Sequence, residues 1–204
     1  MRSIAPLLLV LLGVGPVCGQ TPTTGTLLVA ADGLRDPTFS ETVILLLHYD
    51  ADGAIGVAIN RPTWVQAAEA FPDIPFLNDY VGNVYFGGPV APANLVTLVR
   101  ISDIGDLDLE PIVDDVYVNS DPDFLDQANV IADTEQALRL YAGYASWEEG
   151  QLDREIAAGS WRVIPATAEH VFASEPLALW IKLYAPEAEL TVYRPDDRQT
   201  LASR

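Results

Sequence analysis

The chain of 204 residues has one lysine (Lys182), two histidines (His48 and His170) and one cysteine (Cys18). Each scarcity excludes something. Lys and Arg total 11 against 29 Asp and Glu, for a formal charge of −18 and a pI near 4.1. Nucleic acids are held by cations that neutralise phosphates, and the sequence contains no Lys/Arg cluster. No nucleic-acid partner and no anionic membrane surface is therefore expected. The plainest use of so many carboxylates is a well-hydrated surface. The histidines are not paired at helical i, i+4 spacing, so no zinc site is read from them. No Gly-x-Ser-x-Gly elbow accompanies them, and a Ser/His/acid triad is not indicated. Asp50-x-Asp52-Gly53 opens like a calcium loop, but the later ligands, including the bidentate Glu, are missing. It reads as turn chemistry instead. Neither a cofactor nor a metal is expected, and no catalytic residue set is assigned.

What is present begins at the amino terminus. Met1-Arg2-Ser3 is short and positive, Ile4 to Val14 is almost wholly apolar, and Gly15-Pro16 is followed by Val17-Cys18-Gly19. This is the layout of a signal peptide over residues 1–19. The run falls short of the ~20 apolar residues that span a bilayer, so no stable membrane span is expected. Cys18 is a candidate for lipid attachment, but Gly15-Pro16-Val17 matches the required small-residue box poorly, and cleavage after Gly19 is the expectation. Cleavage would leave a cysteine-free mature chain without thiol chemistry or disulfides. Export to the periplasm or medium follows; the alternative is a retained amino terminus and a cytoplasmic protein.

The remainder suits one domain with a core large enough to need no staples. Strands are expected over Thr26–Ala30, Thr42–Tyr49 and Ala54–Asn60, the last two forming a hairpin around Asp52-Gly53. Pairing is expected to stop at Pro62. Trp64–Phe71 reads as a short helix. Further strands are expected over Val84–Phe86, Leu95–Ile101 and Ile112–Asn119, with an exposed acidic loop over Asp103–Glu110 and a turn over Asp121–Gln127. Thr134 caps an expected helix from Glu135 to Ala142. Ser146 and Glu149 have capping-box spacing, which predicts a second helix starting at Ser146. Leu152 and Ile156 would face inward, with Gly159 as the stop. A strand over Trp161–Ile164 and short helices over Ala168–Ala173 and Leu177–Tyr184 complete the pattern. Residues 185–204 read as a polar tail.

Three segments then match one family in order and spacing. They are Gly25 to Pro62 with its "LLVAADGLRDPTFSETVI" and "DADGAIGVAINRP", "FGGPV" at Phe86–Val90, and "GYASWEEGQLDREI" at Gly143–Ile156 followed by Ser160-Trp161. Together they resemble the YqgE/AlgH family. The resemblance implies a single α+β domain over residues 25–184, with a mixed, largely antiparallel sheet and flanking helices. It implies no secure activity; many members carry the label of transcriptional regulator.

Candidate contact residues follow from the same segments. Gly87 and Gly88 would let a ligand approach the backbone closely, or simply form a tight turn. In the expected helix, Glu148, Gln151 and Glu155 share a face beside Trp147, either as a recognition surface or as a solvated face with Trp147 in the core. Asn60 is a further polar candidate. The leading expectation is a non-catalytic domain that binds an unknown protein or small ligand outside the cytoplasm. Two alternatives stay open: a carboxylate enzyme using Asp36 or Glu155 with Asn60, and a cytosolic regulator.

Overall fold

A computed structural model describes residues 21–102, 109–121, 124 and 137–185. Nine strands form one sheet. β1 (Thr26–Ala30), β2 (Val43–Asp50) and β3 (Gly53–Ala58) are the apolar strands expected. β4 (Pro62–Gln66) and helix α1 (Ala67–Ala70) follow, then a 3₁₀ turn over Pro75–Asn78. β5 (Asn83–Phe86), β6 (Val90–Arg100), β7 (Val116–Asn119) and β8 (Leu138–Glu148) come next. Helix α2 (Gln151–Ala157), β9 (Trp161–Pro165), helix α3 (Ala168–Val171), a 3₁₀ turn at Pro176–Ala178 and helix α4 (Leu179–Tyr184) end the described chain.

The strand order is β4-β5-β8-β3-β2-β1-β9, and β6 branches from β8 to carry β7. Only β5 and β8 run parallel; every other pairing is antiparallel. The fold is thus a single α+β domain with a mixed sheet and a few flanking helices. Both faces of the central strands are covered. On one face Leu27, Val29, Leu45 and Val57 pack with Val171 and Leu179 of α3 and α4. On the other, Leu28, Ile44 and Leu46 pack with Trp147, Leu152 and Trp161 under α2. Burial of both faces explains why β1 and β2 read as nearly continuous apolar runs rather than as alternations. A third cluster joins Ala67, Phe71 and Leu77 to Leu138 and Leu140.

β8 holds the two halves of the sheet together. Its first half pairs with β5 through Tyr141 and Ala142, and with β6 from Leu138 to Ala142. Its second half pairs with β3 from Ala145 to Glu148. The handover falls at Gly143, which has φ +69°. Gly87 and Gly88 cross it there. A Cβ on Gly87 would lie 2.1 Å from the Gly143 carbonyl oxygen, and one on Gly88 2.2 Å from the Tyr144 carbonyl carbon. The Gly87 N–H donates to Ala142 O (2.9 Å) and its carbonyl accepts from the Ala58 N–H (2.8 Å). Backbone meets backbone here, and only glycine leaves room for that.

Four expectations change. Trp64–Gln66 is strand, not helix, and helix is confined to Ala67–Ala70. Pro62 does not end pairing but sits opposite Tyr85; β4 is an edge strand, where a missing N–H costs no ladder bond. Leu138–Ala142 is strand rather than helix. Its helix-forming residues are overruled by the burial available on both sides of a central strand. Ser146 and Trp147 also belong to β8, so there is no capping box; α2 starts five residues later, behind Gly150 at φ +61°. The expected signal peptide, most of the expected acidic loop and of the Asp121–Gln127 turn, Thr134 to Gln136, and the expected tail beyond Ala185 lie outside the described residues.

Gly143→Ala should destabilise the domain by about 3 kcal/mol, since it adds a side chain at positive φ against the Gly88 and Val90 carbonyls, 2.6 and 2.7 Å from the new Cβ. Urea unfolding measures it; a loss below about 0.5 kcal/mol, the range of an indifferent surface change, would contradict this account of the crossing.

Candidate functional site

The segment singled out around Trp147 does assemble, but from two strands and a helix. Trp147 points inward near the end of β8, and Trp161 opens β9. Their rings meet edge to face, with centroids 6.2 Å apart and planes at 84°. Glu155, one turn along α2 from Gln151, aims its carboxylate between them. Its Oε2 accepts from both indole Nε1–H groups, at 2.9 Å from Trp147 and 2.8 Å from Trp161. Its Oε1 accepts from Gln151 Nε2 (2.9 Å), and Gln151 Oε1 accepts from the Glu148 backbone N–H (3.1 Å). The network therefore closes on itself. Glu148 contributes its backbone, not its exposed side chain, and does not share a helix face with Gln151 and Glu155.

A further bond pins α2 from below: Tyr49 donates its hydroxyl to Asp153 Oδ1 (2.7 Å). The Tyr49 pKa is raised, first by that hydrogen bond, then by burial and the neighbouring negative charge. Sequence reasoning missed this pair, because Tyr49 and Asp153 lie 104 positions apart.

The other candidates are also occupied by the protein. Asn60 is 3% exposed; its Oδ1 accepts from Val43 N–H (2.9 Å) and its Nδ2 donates to Glu41 O (2.9 Å). Beside it Arg61 donates to Ser40 O and Thr42 Oγ1. Both residues thus clamp the loop that leads into β2. Gly87 and Gly88 lie in the crossing already described, between β5 and β6 and some way from the α2 network in the chain. Asp36 is exposed, its Oδ1 accepting from the Thr38 N–H in a local turn (2.8 Å). It does not join Glu155 or Asn60, so the arrangement required of a carboxylate enzyme is not formed by these residues. Among the described residues no three His, Cys, Asp or Glu side chains stand where they would hold a metal ion. His48 donates or accepts at 2.8 Å with exposed Asp50, and His170 Nδ1 accepts from Thr167 N–H in a capping box at α3.

Two surface features went unread in the sequence. One is a groove of about 620 Å³ floored by Leu47, Ile55, Phe71, Leu95 and Tyr144, with Asp73 at its rim. The other is the lobe built from β4, α1, the following 3₁₀ turn and the approach to β5. On it Trp64 is 95% exposed and Val81 84% exposed. Trp64 falls in the segment expected to be a short helix, and its place on an edge strand leaves it exposed. No helix among the described residues is long and apolar enough to cross a membrane.

Fold and site together define a single-domain α+β protein of mixed sheet, in which Asn60, Gln151 and Glu155 are engaged in internal bonding. Its family follows from comparison. The AlgH-like DUF179 family model matches residues 27–186, and the chain belongs to that family. A UPF0301 protein of Streptomyces avermitilis is 32% identical over 185 residues, covering 85% of this chain and 93% of the relative. A UPF0301 protein of Chlamydia felis is 34% identical over 163 residues, covering 78% and 83%. Among solved structures, protein DIP2367 of Corynebacterium diphtheriae is similar with a TM-score of 0.68 at 25% identity, covering 81% of this chain and 87% of that one. The solution structure of the AlgH protein of Pseudomonas aeruginosa gives 0.63 at 28% identity, covering 85% and 92%.

Glu155→Ala should cost about 3 kcal/mol in urea unfolding, because two largely buried indole N–H groups lose their acceptor. Glu155→Gln should recover only part of this, having one acceptor oxygen for three donors; an unchanged midpoint in both would refute the structural role. Asp50 is held below the usual aspartate range, chiefly by the Asp52 N–H and then by His48. Its contribution to the hairpin is therefore complete above about pH 3.9, the ordinary aspartate value, and fades as pH falls through the lower, folded pKa. An NMR titration of the Asp50 carboxyl with a midpoint at or above 3.9 would contradict this.

Proposed function

We propose that this protein is a non-catalytic binding domain, an accessory to a protein partner outside the cytoplasm, with the β4 lobe as its contact face. One observation carries the reading: Trp64, the largest side-chain type, is almost fully exposed on an edge strand. Tryptophan is the residue most often found to dominate protein interfaces, because a rigid aromatic buries much area at small entropic cost. Half-exposed Val65 and exposed Val81 lie in the same lobe, and such a cluster gains most when another surface covers it. The other tryptophans are committed to the core: Trp147 and Trp161 to Glu155, and Trp180, whose Nε1–H donates to Ala30 O (2.9 Å). The extracytoplasmic setting rests on the amino-terminal sequence alone. A regulator acting on the chromosome fits neither that setting nor the charge of −18.

Mass spectrometry after cell fractionation should find a mature chain beginning at Gln20 outside the cytoplasm; an intact Met1 in the soluble cytosol would remove the export claim. A photo-crosslinker at Val65 should give a discrete adduct in cells that Trp64→Ala abolishes, while the variant stays within about 0.5 kcal/mol of parental stability. An adduct pattern indifferent to Trp64 would remove the contact-face claim.

A further inference from the structure

We infer that the β4 lobe docks a cationic protein segment whose apolar side chains cover Trp64; this rests on the reading of that lobe as the contact face. The first observation is charge. Residues 62–99 include no Lys, Arg or His, and their only ionisable acids are Glu69, Asp73 and Asp79. All three are exposed. Glu69 lies on α1, Asp73 just beyond it, and Asp79 beside Val81 and Gln66 around a depression of about 400 Å³. Two cations border the lobe, but Arg61 turns to Ser40 O and Thr42 Oγ1 and Arg139 lies over the Tyr85 ring, so the charges on the lobe's own exposed side chains are these three carboxylates. Complementary potential would steer a cationic partner to the lobe and repel an anionic one. The face of an exposed indole adds attraction for Lys and Arg, through its ring quadrupole.

The second observation is the backbone of β4. Pro62 lies opposite Tyr85 and Gln66 opposite Asn83, so five residues of β4 face three of β5. The strand bulges outward, with Trp64 at the middle of the bulge. Thr63 Oγ1 donates to Val84 O (2.6 Å) and accepts from the Val65 N–H (3.2 Å), while Pro62 has no N–H to offer. An irregular edge that begins with a proline and uses the Val65 N–H locally is a poor template for another strand. This argues against edge-to-edge pairing with a second copy, which would also bring its own charge of −18 to an acidic face. The contact is made by side chains: one aromatic anchor on a lobe whose charged groups are Glu69, Asp73 and Asp79.

The test uses the full mature chain and a 12-residue peptide of alternating Lys and Leu, with a Glu/Leu peptide as its charge-reversed counterpart. Peptide anisotropy and tryptophan emission report binding. The Lys/Leu peptide should bind, and Trp64→Ala should weaken it at least tenfold. Combined Glu69→Gln, Asp73→Asn and Asp79→Asn should also weaken it at least tenfold. The control of equal charge, combined Asp32→Asn, Glu148→Gln and Glu149→Gln, should change it less than twofold. No binding of the Lys/Leu peptide, or equal weakening by the control, overturns the inference. Equal binding of the Glu/Leu peptide overturns the cationic partner yet leaves Trp64 as the contact. Indifference to Trp64→Ala removes the contact face itself. A dimer in sedimentation that Trp64→Ala abolishes assigns the lobe to a second copy and also overturns the inference.

Discussion

The close crossing of Gly87 and Gly88 over Gly143 is the constraint on which the rest of the sheet depends. β8 must serve β5 and β6 with one half and β3 with the other. Two halves of a sheet can share one strand only if the chains entering from both sides approach it without side chains between them. The Gly87 N–H and carbonyl are bonded to Ala142 and Ala58, which belong to the two halves. Removing that approach would separate β4, β5, β6 and β7 from β1, β2, β3 and β9. The cluster that joins Val96, Leu98 and Val116 to Leu27, Leu45 and Val57 would then lose its continuity.

The polar residues that draw the eye in the sequence serve the same end. Glu155 satisfies two indoles and a glutamine in a place where an unpaired donor is costly. Asn60 and Arg61 do the same for the loop before β2. A carboxylate with both oxygens engaged is poorly placed for proton transfer, and an asparagine 3% exposed presents nothing to a ligand in this conformation. What remains available lies elsewhere, in the apolar groove beside Asp73 and in the β4 lobe with Trp64. A rigid body stabilised by internal polar bonds and a contact face of few, large groups is consistent with the proposed accessory role.

Charge ties the lobe to the whole molecule. An excess of carboxylates keeps the chain apart from other acidic surfaces, including copies of itself. In the proposed role that repulsion would limit self-association through the exposed apolar side chains, and the same field would favour a partner of opposite charge. The bulge in β4 adds a second barrier to pairing between copies.

Sequence by itself determined the apolar strands β1 to β3, the turn at Asp52-Gly53, β9 and the short carboxyl-terminal helices, since their signals are local: long apolar runs, Asp-Gly and Pro. It also determined the family, through three segments in order, and the sign of the charge. Only the tertiary structure decided β4 and β8. Leu138 to Ala142 of β8 have good helix propensity, but Leu138 and Leu140 on one face and Tyr141 on the other are buried completely or nearly so as strand. It also decided the meaning of the candidate residues. Spacing brought Gln151 and Glu155 together correctly, because α2 is local. Whether their oxygens faced water or indole depended on Trp161 from another strand. Trp64 shows the same in reverse: the sequence put it in a short helix and said nothing of its burial, and a position on the outer edge of the sheet left it in water.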